Sequence, residues 1–131
     1  MGHYQFTSPI FLKLLGIANP LYTSVGCFKD TGTRAIQTLE GKDKRLDGSY
    51  GSRKDAIEKC YAAAKEKGYK YFAVQHDGWC AASANAESRY KMYGKATNCK
   101  GGKGGGWAND VYVIEGKKYL QNGLFLLISW L

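Results

Sequence analysis

The chain has 131 residues, and its 19 Lys or Arg against 11 Asp or Glu give a formal net charge of +8 at pH 7. This length suits one domain with a modest core and is too short for two. The positive charge favours anionic partners in general without identifying any, and seventeen glycines against two prolines favour tight turns over a flexible linker protein.

The two ends of the chain differ from its middle. Residues 1–21 contain the apolar run PIFLKLLGIA, which lacks the basic start and small-residue cleavage site of a signal peptide. Residues 117–131 form an apolar tail that is shorter than the roughly 20 residues of a membrane helix. We expect a domain at 22–116 and no membrane span. The ends are interpreted as a fragment boundary or, alternatively, as including a tail that packs on the domain or anchors it at an interface.

The predicted domain begins with a short strand at Ser24–Asp30, in which Val25 and Cys27 share one face. A polar connection from Arg34 to Tyr50 follows and shows neither helical nor strand periodicity. Long ordered loops often carry binding residues, although a solvated loop is the more common structure.

A helix is predicted next, with Ser52 as its N-cap, Asp55 three residues later and Gly68 as the left-handed residue that ends it. Its buried stripe follows i, i+3, i+4, i+7 spacing and consists of Ile57, Cys60, Tyr61 and Ala64.

Two strands and a second helix complete the predicted elements. Aromatic and β-branched residues predict strands at Tyr69–Gln75 and Asp110–Ile114. Between them, Ser83 can cap a short helix that Gly94 ends. The buried stripe of this helix would be Ala86, Tyr90 and Tyr93.

The four cysteines are widely spaced, and no CxxC pair offers the ligands of a structural zinc site. Two disulfides in an oxidising compartment are therefore predicted, with four buried free thiols as the alternative. Cys60, on the buried helical face, can meet Cys80, just past the strand. Cys27 and Cys99 are then paired, since the first and last strands are expected to lie side by side.

No catalytic or phosphate-binding motif is found. The run GKGGG lacks the Gly-Lys-Ser/Thr ending of a phosphate loop and is interpreted as a turn. His76 is interpreted as a turn or strand-end residue, and no serine or cysteine has the context of a nucleophile. We expect no enzyme activity, no cofactor and no metal.

Several segments resemble a known family: VGCF in the first strand, GYKYFAVQ after the helix, Gly78-Trp79-Cys80, and the closing WANDVYVI. Together they are similar to the WSC-type carbohydrate-binding module, which is itself similar to the PAN/apple group of extracellular modules. The resemblance covers about Tyr22 to Glu115. The chain differs in having fewer cysteines than the usual WSC pattern, so it would be a divergent, four-cysteine relative.

The resemblance implies a small α+β domain, with a disulfide-stabilised antiparallel sheet, one main helix and a second short helix packed on it. It implies a secreted or cell-surface module that binds polysaccharide or glycoprotein glycans in a lectin-like manner, without catalysis. Nucleic acid is not an expected partner.

Six residues are candidates for sugar contact, because aromatic faces stack on sugar rings while polar side chains bond the hydroxyls. They are Arg34, Tyr50, Asp77, Trp79, Trp107 and Asn109. Each also has a purely structural interpretation: Trp107 could fill the core, and Asn109 could bond the backbone of a turn.

The alternative function is a PAN-like module that binds acidic proteins or sulfated glycans through a basic face. Its residues would be Lys91, Lys95, Lys100 and Lys103, which lie close in sequence. A solvated lysine face is the more common meaning of such a cluster.

Overall fold

The computed structural model describes residues 21–121 and 124–128, with side chains described as far as residue 116. The chain divides into a compact body at Ser24–Ile114 and a second unit made of the segments before and after it. The predicted N-terminal extension at 1–21 lies, except for its last residue, outside the described residues. Among the described residues there is no helix with the length and apolar character that a bilayer crossing requires.

Four strands form one antiparallel sheet in the order β1-β4-β2-β3. They are β1 at Tyr22–Lys29, β2 at Tyr71–Gln75, β3 at Trp79–Ala82 and β4 at Ala108–Ile114. The α+β class is confirmed, and the first strand lies beside β4 as predicted. The sequence does not predict β3, because WCAA is short and lacks the alternation of a half-buried strand.

The predicted apolar tail contains two further strands, β5 at Lys117–Gln121 and β6 at Leu124–Ile128. They pair antiparallel with each other, with Leu120 opposite Phe125. The described residues of this part of the chain therefore form a two-stranded antiparallel sheet.

The main helix, α1, runs over Ala56–Glu66, and its N-cap is Asp55, three residues after the predicted cap Ser52. Ser52 instead ends a 3-10 turn at Tyr50–Ser52, and Asp55 has φ 52° and no side-chain cap bond. The physical reason is Arg53, whose guanidinium donates to the Leu46 and Gly78 carbonyls. These bonds hold the backbone before α1 against neighbouring loops and prevent it from joining the helix.

The predicted end of α1 is correct. Gly68 has φ 79°, and its N–H donates to the Lys65 carbonyl at 2.9 Å. The Tyr69 N–H donates to the Ala64 carbonyl at 3.0 Å. These two bonds form a Schellman motif, which satisfies carbonyls that the helix leaves open.

One face of the sheet is covered by α1. Tyr61 of the helix contacts the ring of Phe72 in β2, and a disulfide joins Cys60 to Cys80 in β3 with a Cα separation of 5.5 Å. The second disulfide joins Cys27 to Cys99. Both predicted pairings are confirmed, and in the chain-entropy model they contribute about 3 and 4.5 kcal/mol.

The opposite face carries Ala73, which is paired with Ala81 and Val111. The connection from Arg34 to Tyr50 contributes to the core, although its sequence has no periodicity. Its buried residues are Ala35, Ile36, Leu39 and Leu46. Thr38 also bridges to Ala81 and thereby covers the β3 edge of the sheet.

The predicted second helix is present only as a short 3-10 helix at Ala86–Ser88, and further turns follow it. The Ala86 carbonyl accepts both the Arg89 and the Tyr90 N–H groups, and the Met92 N–H returns to the Arg89 carbonyl. The predicted stripe nevertheless packs on the core, since Tyr90 contacts Phe28 edge-on with ring centroids 5.0 Å apart.

Candidate functional site

A cavity of about 380 Å³ opens where the β2-β3 turn, the turn before β4 and the start of the long connection come together. Its lining residues are Arg34, Tyr50, Gln75, His76, Trp79, Gly106 and Trp107. Four of the six candidates from the sequence therefore meet at one place: Arg34, Tyr50, Trp79 and Trp107.

Two tryptophans pack on a single cation in this cavity. The guanidinium carbon of Arg34 lies 4.1 Å from the ring centroid of Trp79 and 4.7 Å from that of Trp107. Each contact is within the range of a cation–π interaction, worth about 0.5–2 kcal/mol depending on solvent exposure. The cation thereby holds both indoles at the cavity.

Asp30 anchors Arg34 from the protein interior. Its Oδ2 atom accepts from Arg34 Nη1 at 2.9 Å and from Gln75 Nε2 at 2.9 Å. Its Oδ1 atom accepts from the Ala35 N–H at 2.9 Å, and its side chain has no solvent exposure. A buried carboxylate with this number of donors is stable only while they stay in place.

Asn109 lies beneath the cavity and does not line it. It is fully buried in β4, where its Oδ1 accepts from Gln75 Nε2 at 2.9 Å. Its Nδ2 group has no hydrogen-bond partner among the described residues. Asn109 therefore positions Gln75 and is not available for direct ligand contact.

The turn between β2 and β3 forms one rim. His76 and Asp77 both have positive φ, at 51° and 73°, and the Gly78 N–H donates to the Gln75 carbonyl at 3.2 Å. Such a turn ordinarily contains Asn or Gly at its two central positions. His76 lines the cavity, whereas the candidate Asp77 is exposed and does not.

Gly78 is needed for this rim to reach Tyr50. A Cβ atom at position 78 would lie 2.1 Å from the Tyr50 carbonyl oxygen, so no other residue fits without a backbone shift. The close approach brings the rings of Tyr50 and His76 to 6.0 Å between centroids.

Trp107 forms a second rim at the turn from Gly105 to Ala108, which exchange two backbone hydrogen bonds. Trp107 has φ 52°, a conformation that ordinarily selects glycine, and its side chain is 55% exposed. It does not fill the core. A large aromatic residue that is both strained and exposed is typical of a position kept for function.

A buried ion pair that the sequence does not predict holds the rim formed by the β2-β3 turn in place. Arg53, whose side chain is only 2% exposed, donates through Nη1 and Nη2 to both carboxylate oxygens of Glu40 at 2.7 and 2.9 Å. Glu40 also accepts the Cys80 N–H at 2.7 Å, and Arg53 donates to the Gly78 carbonyl. No spacing in the sequence could reveal this pair, because its partners lie on three separate segments.

Below the glycine run, Asp110 accepts the Gly104 N–H at 2.8 Å. Burial raises the pKa of the Asp110 carboxyl, and this backbone bond lowers it by a smaller amount. The predicted turn at this run is present, with Gly101, Gly102 and Gly104 at positive φ.

Within residues 21–116 no group of three or more His, Cys, Asp or Glu side chains could hold a metal ion.

Comparison of the chain with protein-family models, with characterised proteins and with solved structures found no match.

Proposed function

We propose that this chain is a non-catalytic, carbohydrate-binding module and that the cavity around Arg34 is its binding site. The observation that carries the proposal is the convergence of Trp79, Trp107 and Tyr50 on one cavity with a fixed cation. Aromatic faces that surround a few oriented polar groups are the usual composition of a sugar site. The WSC resemblance of the sequence points to the same class of ligand.

Four of the lining residues have a defined task in this proposal. Trp107, half of whose surface is exposed, stacks on the apolar face of a sugar ring. The Arg34 guanidinium and the His76 imidazole, both at the cavity, bond the ring substituents. Gln75 is engaged with Asp30 and Asn109 and keeps the floor of the site rigid.

The composition of the lining supports binding over hydrolysis. Glycoside hydrolases ordinarily place two carboxyl groups on either side of the scissile bond. The residues that line this cavity include no Asp or Glu, and the nearby Asp30 is buried and fully engaged. Two disulfides in the folded chain support an extracellular location, where such bonds persist.

The test is titration of a panel of oligosaccharides against the wild type and three variants. A shallow site without a metal should bind near the millimolar range, about 4 kcal/mol. Trp107→Ala and Trp79→Ala should each lose about 1 kcal/mol of binding, or roughly fivefold in affinity. A variant with alanine at Lys91, Lys95, Lys100 and Lys103 should retain binding.

Each variant is first checked for its far-UV circular dichroism and for both disulfides. If binding disappears only in the four-lysine variant and falls steeply with salt, the stacking site is refuted. The basic face would then bind acidic or sulfated partners instead.

A further inference from the structure

The hydrogen-bond donors of Arg34 are only partly used by the protein. A guanidinium group carries five N–H donors. Nη1 donates to Asp30 at 2.9 Å and reaches Gln75 Oε1 at 3.5 Å, while Nε and Nη2 have no acceptor among the described residues. The side chain is 28% exposed, so these three N–H donors remain available at the cavity.

The free donors have the geometry that recognises an oxyanion. Nε and Nη2 lie on one edge of the planar guanidinium, and their parallel N–H bonds match two oxygens of a carboxylate or a sulfate. Neighbouring sugar hydroxyls also offer two oxygens, but these are neutral, and a bond to an ionised acceptor is roughly twice as strong. The unused edge of Arg34 therefore favours a charged substituent over a neutral one.

The surroundings of Arg34 do not repel an anion. The cavity lining contains no carboxylate, and the chain as a whole carries a net charge of +8. Asp30 offsets part of the Arg34 charge, but it lies on the buried side with no solvent exposure and is bonded to three donors. The packing of both indoles on the guanidinium limits the conformational freedom that binding would otherwise remove.

We propose that the ligand is an acidic saccharide, in which a carboxylate or sulfate group binds the free edge of Arg34 while the adjoining sugar ring stacks on Trp107. This inference rests on the proposed carbohydrate site and specifies the chemistry of its ligand. It also assigns a role to the salt bridge with Asp30, which fixes the used edge of the guanidinium and leaves the other edge to the ligand.

The first experiment compares charged ligands with their neutral counterparts on the wild-type chain, so its result does not depend on whether a variant folds. Oligomers of glucuronic, galacturonic and mannuronic acid are titrated by calorimetry against the wild-type chain, each beside its neutral methyl ester. Sulfated and desulfated oligosaccharides form a second arm that separates the two sources of the oxyanion. In at least one matched pair, the charged form should bind about tenfold more tightly.

Three variants locate the effect. Arg34→Lys keeps the positive charge beside Asp30 but loses the paired donors, and it should remove most of the difference between acid and ester. Trp107→Ala should weaken both acid and ester, because both have the same ring, and should leave the acid the tighter ligand of the two. Lys91→Gln, which removes one exposed charge elsewhere, should leave the preference unchanged.

The inference and the proposed function fail in different ways. If esters or desulfated sugars bind as tightly as their charged forms, the inference is refuted and carbohydrate binding stands. If charged forms are preferred but Arg34→Lys keeps the whole preference while Lys91→Gln reduces it, the oxyanion site is not at Arg34. If no saccharide of either arm binds, the proposed function itself is wrong.

Discussion

The Nη1 atom of Arg34 lies 2.9 Å from Oδ2 of Asp30, so a partly exposed cation of the cavity is bonded to a carboxylate that solvent cannot reach. The pair is asymmetric, because Asp30 depends on Arg34 for its compensating charge while Arg34 also contacts two indole rings. Stability and binding are consequently coupled at this residue.

Replacing Arg34 with alanine should therefore destabilise the fold as well as the site. We expect a loss of about 2 kcal/mol in the free energy of unfolding, less than for a fully buried pair because Arg34 is partly exposed. The double variant Asp30→Asn/Arg34→Ala, which has no unpaired charge, should be more stable than the single one in urea denaturation. Equal losses in the two would contradict the anchoring role of Asp30.

The Glu40–Arg53 pair should matter far more than the ion pairs of Arg45. Arg53→Met removes a bidentate, nearly unexposed partner of Glu40 and should cost about 3 kcal/mol, since it leaves a carboxylate that bonds only the Cys80 N–H. Arg45→Met is the matched control: its partners are Asp43 and Glu66, its side chain is 38% exposed, and its removal should change the free energy of unfolding far less. Similar midpoints in urea for the two variants would refute this ranking.

Trp107 should show the cost of its backbone conformation. Trp107→Gly and Trp107→Ala both remove the indole, but only glycine tolerates φ 52° without strain. The glycine variant should be about 1 kcal/mol more stable than the alanine variant, despite the greater freedom of glycine in the unfolded chain. Thermal and urea unfolding of the two proteins would measure the difference, and a more stable alanine variant would argue against strain at this turn.

Asp110 should make the free energy of unfolding vary with pH in the acid range. Because burial raises the pKa of its carboxyl in the folded protein, the folded state binds this proton more tightly than the unfolded state does. The contribution of Asp110 to the free energy of unfolding therefore falls as the pH rises from the ordinary carboxyl pKa through the raised value. Asp110→Asn removes this titration and can still accept the Gly104 N–H. Its stability relative to wild type should increase across that window in urea unfolding, and a constant difference would contradict the prediction.

The fragment Tyr22–Gly116 should fold with both disulfides, because the compact body at Ser24–Ile114 contains all four cysteines, α1 and the cavity. Its melting temperature should lie close to that of the full chain. Non-reducing peptide mapping would verify the Cys60–Cys80 and Cys27–Cys99 pairings. A fragment that aggregates or melts far below the full chain would place residues 117–131 in the core.

The sequence predicted best those features that neighbouring residues determine. The end of α1 depends on Gly68 and its own last turn, so the local pattern was sufficient. The start of α1 depends on Arg53, whose partners lie on other segments, and the local cap signal at Ser52 was therefore misleading. The second helix is shorter than predicted for a similar reason, since Arg89 donates to the Arg34 and Ala35 carbonyls across the fold.

The candidate site could also be predicted only in part, because residue type is visible in the sequence but the pairing of distant segments is not. Trp79 and Trp107 are large aromatic residues next to turns, which made them candidates for stacking on a ligand, and both line the cavity. Asn109 and Asp77 are equally typical of turns. The strand register buries Asn109, whereas the tight β2-β3 turn leaves Asp77 exposed and outside the cavity lining. Gln75 and His76 carry no signal of their own, because only the pairing of β2 with β3 brings them to the cavity.

The two glycines at the rims of the cavity differ in whether a side chain can replace them. Gly78 is fixed, since any side chain there would collide with the Tyr50 backbone. Gly106 lines the cavity, has no positive φ, and would meet nothing within 4 Å if it gained a Cβ atom. New specificities can therefore be selected by varying position 106 alone, while the rest of the site keeps its geometry.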